Sequence, residues 1–172
     1  SGSTLQIIDV SNPASPSLTG TYTSMFWALS NIYVSGKYAY VTRHNAYNNM
    51  GLQIIDVSNP ASPSLAGTYN ASNTFDYNAG IYVSGKYAYM SSNQKRLQII
   101  DISNPSSPSL VNGTTTAGLA GRSHLDIYIA GEYAYIASLA GEDGGSILNV
   151  VDISDRTNPT QVGHYYADDY LV

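Results

Sequence analysis

The sequence predicts an all-β, β-propeller-like fold of four-stranded antiparallel blades, and three observations predict it. The phrase LQIIDVSNPASPSL starts at Leu5 and returns unchanged at Leu52; LQIIDISNPSSPSL follows at Leu97 and LNVVDISDRTNPTQ at Leu148. A second phrase recurs between these anchors, as NIYVSGKYAYV at Asn31, GIYVSGKYAYM at Gly80 and DIYIAGEYAYI at Asp126. The segments are short, rich in β-branched and aromatic residues, bounded by Gly, Pro, Asn and Ser, and show no helical periodicity. Repeats of roughly 45 to 50 residues with four such segments apiece are the size of a propeller blade.

Each element has a local reason. IYVSG is the first strand of a blade, and Gly36, Gly85 or Gly131 supplies the backbone freedom that a two-residue hairpin turn needs. KYAYV returns beside it as the second strand. A loop of variable length leads to LQIIDV, the third strand. SNPASP then turns the chain into SLTGTY, the fourth, and its proline blocks continuation of the third. Asp9, Asp56, Asp101 and Asp152 end the third strands, where a carboxylate accepts backbone N–H bonds of the turn. They read as structural turn caps, because a catalytic Asp has no reason to be copied with its turn into every repeat.

The chain opens at a third strand. It therefore holds a half blade at 4–23 and blades at about 24–70, 71–116 and 117–167: about three and a half blades and fourteen strands in a single repeat domain, 1–172. The half blade lacks its inner pair, and exposed strand edges pair with whatever is available. The expected partners are other copies of the chain, closing or propagating as a filament, or flanking repeats of a longer protein.

LQIIDV, DVSNPASPSL and IYVSGKYAYV resemble the LVIVD-repeat family, named after the strand that reads LQIIDV here, and the resemblance runs through nearly the whole chain. It implies a propeller-like β-fold, commonly in bacterial and archaeal surface or secreted proteins. It implies no particular reaction, since propellers serve many functions.

Composition narrows the classes. With 172 residues, 43% of them hydrophobic, the chain is long enough to bury a core. Only 11% are charged, and the 16 tyrosines far outnumber the two phenylalanines, which suits half-wet strands. A net charge of -5 with scattered basic residues argues against nucleic acid. No apolar run is long enough to span a bilayer and the first residues carry no signal-peptide pattern, so no membrane insertion is expected. The absence of cysteine excludes disulfides and thiolate metal sites. Sequons stand at Asn70 and Asn112. Together these features point to an extracellular or cell-surface protein.

Hairpin turns nearly invariant among the copies share one end of the blades, and variable connections share the other, the usual layout of a binding face. The connections into the first strands carry Phe26 and Trp27, then Phe75, Asp76 and Tyr77, then Arg122, His124 and Asp126. The aromatics there either wedge between blades or form a platform for a glycan or protein ligand. Arg43, His44 and Tyr47 add polar candidates in the first of the second-to-third connections. Glu142 and Asp143, in a Gly-rich loop, form a weak calcium candidate without EF-hand spacing. No cofactor is expected. The expected function is a non-catalytic module for binding or assembly. The alternative is an extracellular enzyme acting on glycans, with His44, His124, Asp76 and Asp126 as acid and base. No G-x-S-x-G or H-E-x-x-H motif supports that alternative, and His164 falls in a fourth strand without a visible partner.

Overall fold

The computed structural model describes residues 3–25, 28–44, 50–71, 78–92, 96–112, 123–139 and 145–167. They form fourteen strands and, among the described residues, no helix. A half blade pairs β1 (Thr4–Asp9) with β2 (Ser17–Thr23). The second blade runs β3 (Ala28–Ser35), β4 (Tyr38–His44), β5 (Met50–Asp56), β6 (Ser64–Asn70). The third runs β7 (Asn78–Ser84), β8 (Tyr87–Ser92), β9 (Arg96–Asp101), β10 (Ser109–Asn112). The fourth runs β11 (Ser123–Ala130), β12 (Tyr133–Leu139), β13 (Ser146–Asp152), β14 (Thr160–Ala167). Every pairing is antiparallel and between neighbours in sequence, so each blade is a meander whose first strand is innermost; β3 neighbours β7, and β7 neighbours β11. The sheets do not close on one another.

The repeated sequence writes the same geometry each time. Gly36, Gly85 and Gly131 have φ of 57°, 57° and 59°, the left-handed conformation of the first hairpin turn. Tyr38, Tyr87 and Tyr133 then pair with Asp56, Asp101 and Asp152. A bulge interrupts every third-to-fourth pair at one place, between Ile7 and Ile8, Ile54 and Ile55, Val150 and Val151, and opposite Leu110/Asn112. Both hairpin turns of a blade lie at the same end: Val57 N–H donates to the Lys37 carbonyl at 2.8 Å, Ile102 to Lys86 at 2.9 Å and Ile153 to Glu132 at 2.8 Å.

The second turn is a doubled side-chain cap. Oδ1 of Asp9, Asp56, Asp101 and Asp152 accepts the N–H two residues on, from Ser11, Ser58, Ser103 and Ser154, at 2.8–2.9 Å. Three residues later Asn12, Asn59, Asn104 or Asp155 accepts a second N–H in the same way, at 2.9–3.2 Å. These bonds favour the ionised aspartates and hold them below the usual carboxylate range. The serine hydroxyl and then its N–H do so at Asp56, Asp101 and Asp152; the N–H leads at Asp9. A carboxyl depressed in the folded state contributes stability that is present above its unfolded value, near 4, and lost as pH falls through the folded value. The urea midpoint is therefore expected to fall between pH 5 and pH 2. Replacing all four caps by Asn, which keeps an acceptor but does not titrate, should flatten that fall. An equal slope in the Asn variant would show that the caps do not carry it.

Blades pack face to face, and each interface is one apolar cluster. One face of the second blade (Tyr40, Leu52, Ile54) meets the opposite face of the third (Ile81, Val83, Ala88, Met90, Ile100, Ile102). In the same way Tyr89, Leu97 and Ile99 of the third meet Ile127, Ile129, Ile136, Val151 and Ile153 of the fourth. The two faces arise from strand alternation: in LQII the Leu and first Ile point forward, and the second Ile points back. Leu5 and Tyr22 of the half blade pack on Ala39, Val41 and Ile55, a much smaller cluster.

Two glycines mark how closely the blades approach. A Cβ at Gly20 would lie 2.1 Å from the Pro60 carbonyl oxygen, and one at Gly67 would lie 2.0 Å from that of Pro105. Both contacts run from a fourth strand to the SNP turn of the following blade. At the third-to-fourth interface both partners differ: Asn112 stands where the glycine was and Arg156 where the proline was. Arg156 instead sets its guanidinium over the Tyr87 ring at 4.9 Å and donates from Nε to the Tyr89 hydroxyl at 3.0 Å.

Candidate functional site

Two surfaces stand out because the other repeats provide an internal control for each. The first is the half blade. Ile32 and Val34 of β3 are 49% and 60% exposed, whereas Ile81 and Val83, at the same positions of β7, are 6% and 7% exposed. The corresponding Ile127 and Ile129 of β11 are buried as well. In the later blades the preceding blade's inner strands cover these side chains; the half blade has none. What remains is a groove of about 380 Å³ lined by apolar side chains, among them Leu5, Ile7, Ile32, Val34 and Pro60. The β1 edge flanks it.

The second surface is the forward face of the fourth blade. Tyr135, Leu148 and Val150 are half-buried there, while their counterparts Tyr40, Leu52 and Ile54, and Tyr89, Leu97 and Ile99, are buried. Tyr165 is 67% exposed, and a Cβ at Gly163 would meet no atom of the described residues within 4 Å. A shallow depression of about 190 Å³ lies near the inner end of this face, between Tyr128, Tyr135 and Leu148.

The innermost strands also bring three tyrosines into an arc. The Tyr33 and Tyr82 rings are 4.9 Å apart and tilted at 52°; those of Tyr82 and Tyr128 are 5.1 Å apart, edge to face at 73°. The hydrogen bond with Tyr33 pushes the Tyr82 phenol up. This arc is absent from the sequence-derived candidates, although the Tyr of every first-strand phrase recurs at one position, and that recurrence is its signal. Reading the phrase as scaffold alone hides it.

The sequence-derived candidates fall differently. Phe26, Trp27, Tyr47, Phe75, Asp76, Tyr77, Arg122, Glu142 and Asp143 lie outside the described residues. The backbones of His44 and His124 stand at the end of β4 and near the start of β11; their side chains lie outside the description. Asp126 is exposed, its Oδ1 accepts the Ile127 N–H at 2.8 Å, and its backbone packs where a Cβ at Gly80 would reach 2.9 Å from Asp126 Cα. Arg43 is buried at 2% exposure and donates from Nη2 to Asn70 Oδ1. Burial lowers its guanidinium to about 10, still charged at neutral pH. A side chain at Gly51 would reach 2.8 Å from Arg43 Cζ, so the guanidinium occupies the space that glycine leaves. His164 is exposed on β14, edge to face with Tyr166 at 4.9 Å. Among the described residues no three His, Asp or Glu side chains cluster to hold a metal ion.

A family model described as LVIVD repeat matches residues 1–24, 29–71, 77–116 and 121–167, its four segments coinciding with the half blade and the three blades. No curated protein matches the chain.

Proposed function

This chain belongs to the LVIVD-repeat family, and on that premise we propose that it is a non-catalytic, extracellular repeat module whose work is assembly. The half blade binds the first-and-second-strand hairpin of another LVIVD repeat, which completes the sheet and buries the apolar groove. The observation that carries this reading is the exposure of Ile32 and Val34 against the near-complete burial of their counterparts in the third and fourth blades. Burying one such side chain is worth about 1.5–3 kcal/mol. An added strand also satisfies the free backbone groups of β1, the mode in which sheet edges take up peptides. The extracellular placement is supported by the low charge, the abundant tyrosine and the lack of cysteine.

A synthetic hairpin with the sequence of residues 31–41 tests the reading. Titrated into the folded chain, it is expected to bind saturably, to protect the β1 amides from hydrogen exchange and to lose affinity at least tenfold when Ile7 is changed to Asp. A hairpin that leaves β1 exchange unchanged at millimolar concentration would overturn the proposal.

A further inference from the structure

From the forward face of the fourth blade we infer that its partner is the half blade of a second copy of this chain, docked head to tail. The inference rests on the assembly reading but concerns the opposite end of the molecule. Three features of the internal interfaces recur at the two ends: a glycine-to-proline contact made at two of them, a Gln–Tyr pair made at the first, and apolar packing made at all three. The first is steric. Gly20 and Gly67 leave room for the carbonyls of Pro60 and Pro105 in the blade that follows. Gly163 holds the same strand position, opposite Val150 as Gly67 is opposite Ile54, yet no atom of the described residues lies within 4 Å of its missing Cβ. The SNP turn that meets no glycine among the described residues is that of the half blade, at Pro13.

The second feature is polar. Gln53 Nε2 donates to the Tyr22 hydroxyl of the preceding blade at 3.2 Å. Tyr165 pairs with Leu148 as Tyr22 pairs with Leu5, and Gln6 holds the place of Gln53, so Gln6 of one copy and Tyr165 of another form the same pair. The third is apolar. Ile8 is 43% exposed and Val10 is exposed, whereas among their counterparts Ile55, Ile100, Ile102, Val151 and Ile153 are buried and Val57 is half-buried. The backward face of the half blade therefore carries what the forward face of the fourth blade lacks. Such a contact is heterologous: one surface of each copy meets a different surface of the next, so it propagates unless rotation closes it.

Sedimentation velocity over a concentration series tests it, with the wild-type chain, two variants and their mixture. The wild-type chain is expected to form oligomers that grow with concentration. Gly163→Val, whose Cβ would meet no described atom within 4 Å, should weaken association at least tenfold and leave the melting temperature of the dilute chain unchanged. Val10→Asp, on the backward face of the half blade and outside the groove lining, should weaken it likewise. Mixing the two variants should restore a 1:1 dimer that does not extend, since each keeps one intact surface. A wild-type chain that stays monomeric at high concentration would show that the face is kept for a following repeat or another protein and would overturn the inference. Association that tolerates Gly163→Val, or variants that fail to rescue each other, would also overturn it. Hairpin uptake at β1 is read separately, so loss of one result leaves the other standing.

Discussion

Gly67→Ala is expected to cost the folded chain about 3 kcal/mol, the upper end for forcing atoms into a filled interface. One methyl group is small, but its Cβ would lie 2.0 Å from a backbone oxygen, that of Pro105, so neither partner relieves the clash by changing rotamer. The second and third blades must separate, and the cluster of Leu52, Ile54, Ile81 and Ile100 between them loses contact along its outer end. Gly163→Ala is the matched control: the same residue type, the same place in a fourth strand, and open space beyond it. In dilute solution its effect should stay within about 0.5 kcal/mol. Urea unfolding of both variants measures the difference. Equal destabilisation would mean that the glycine is required by the strand itself rather than by the neighbouring blade.

Ile99→Ala is expected to cost about 4 kcal/mol, within the range for truncating a fully buried isoleucine. Ile99 has no exposed surface and sits between Leu97 and Tyr89 of its own blade and Ile127, Ile136 and Val151 of the next. Packed β-sheets on both sides leave little room for collapse, so the cavity persists and the cost stays high. The equivalent residue of the half blade is Ile7, which is half-buried and lines the open groove. Ile7→Ala removes the same atoms from a site that solvent already reaches, and about 1 kcal/mol is expected. Denaturant midpoints of the pair give the ratio. If Ile7→Ala proved as costly as Ile99→Ala, the groove would be filled in solution, which is the outcome expected in the presence of the hairpin or of another repeat.

The strand inventory was legible because its determinants are local. Alternating side chains, a glycine able to take positive φ at 36, 85 and 131, and an Asp that caps its own turn two residues on all act within a few positions. The recurrence of those signals from repeat to repeat left little ambiguity in strand count or order. The candidate site was much less legible. Arg43 reads as a surface cation beside a variable loop, yet it is buried against Asn70 in the space left by Gly51. Nothing near it in sequence announces that, because Asn70 lies two strands away and the vacancy belongs to a glycine on the neighbouring strand.

By itself, then, the sequence determined the repeat, the strands and the hairpin turns of each blade. Only the tertiary structure decided which face of each blade meets which. Leu52 and Ile55 are equally apolar letters of one strand, but they enter different clusters because alternation sends them to opposite neighbours. The same holds for the glycines. Gly67 and Gly163 are indistinguishable within their strands, and what separates them is a proline carbonyl contributed by another blade in one case and open space in the other. Contacts between blades join residues about one repeat apart, and their energy depends on the shape of a partner surface that no local pattern specifies.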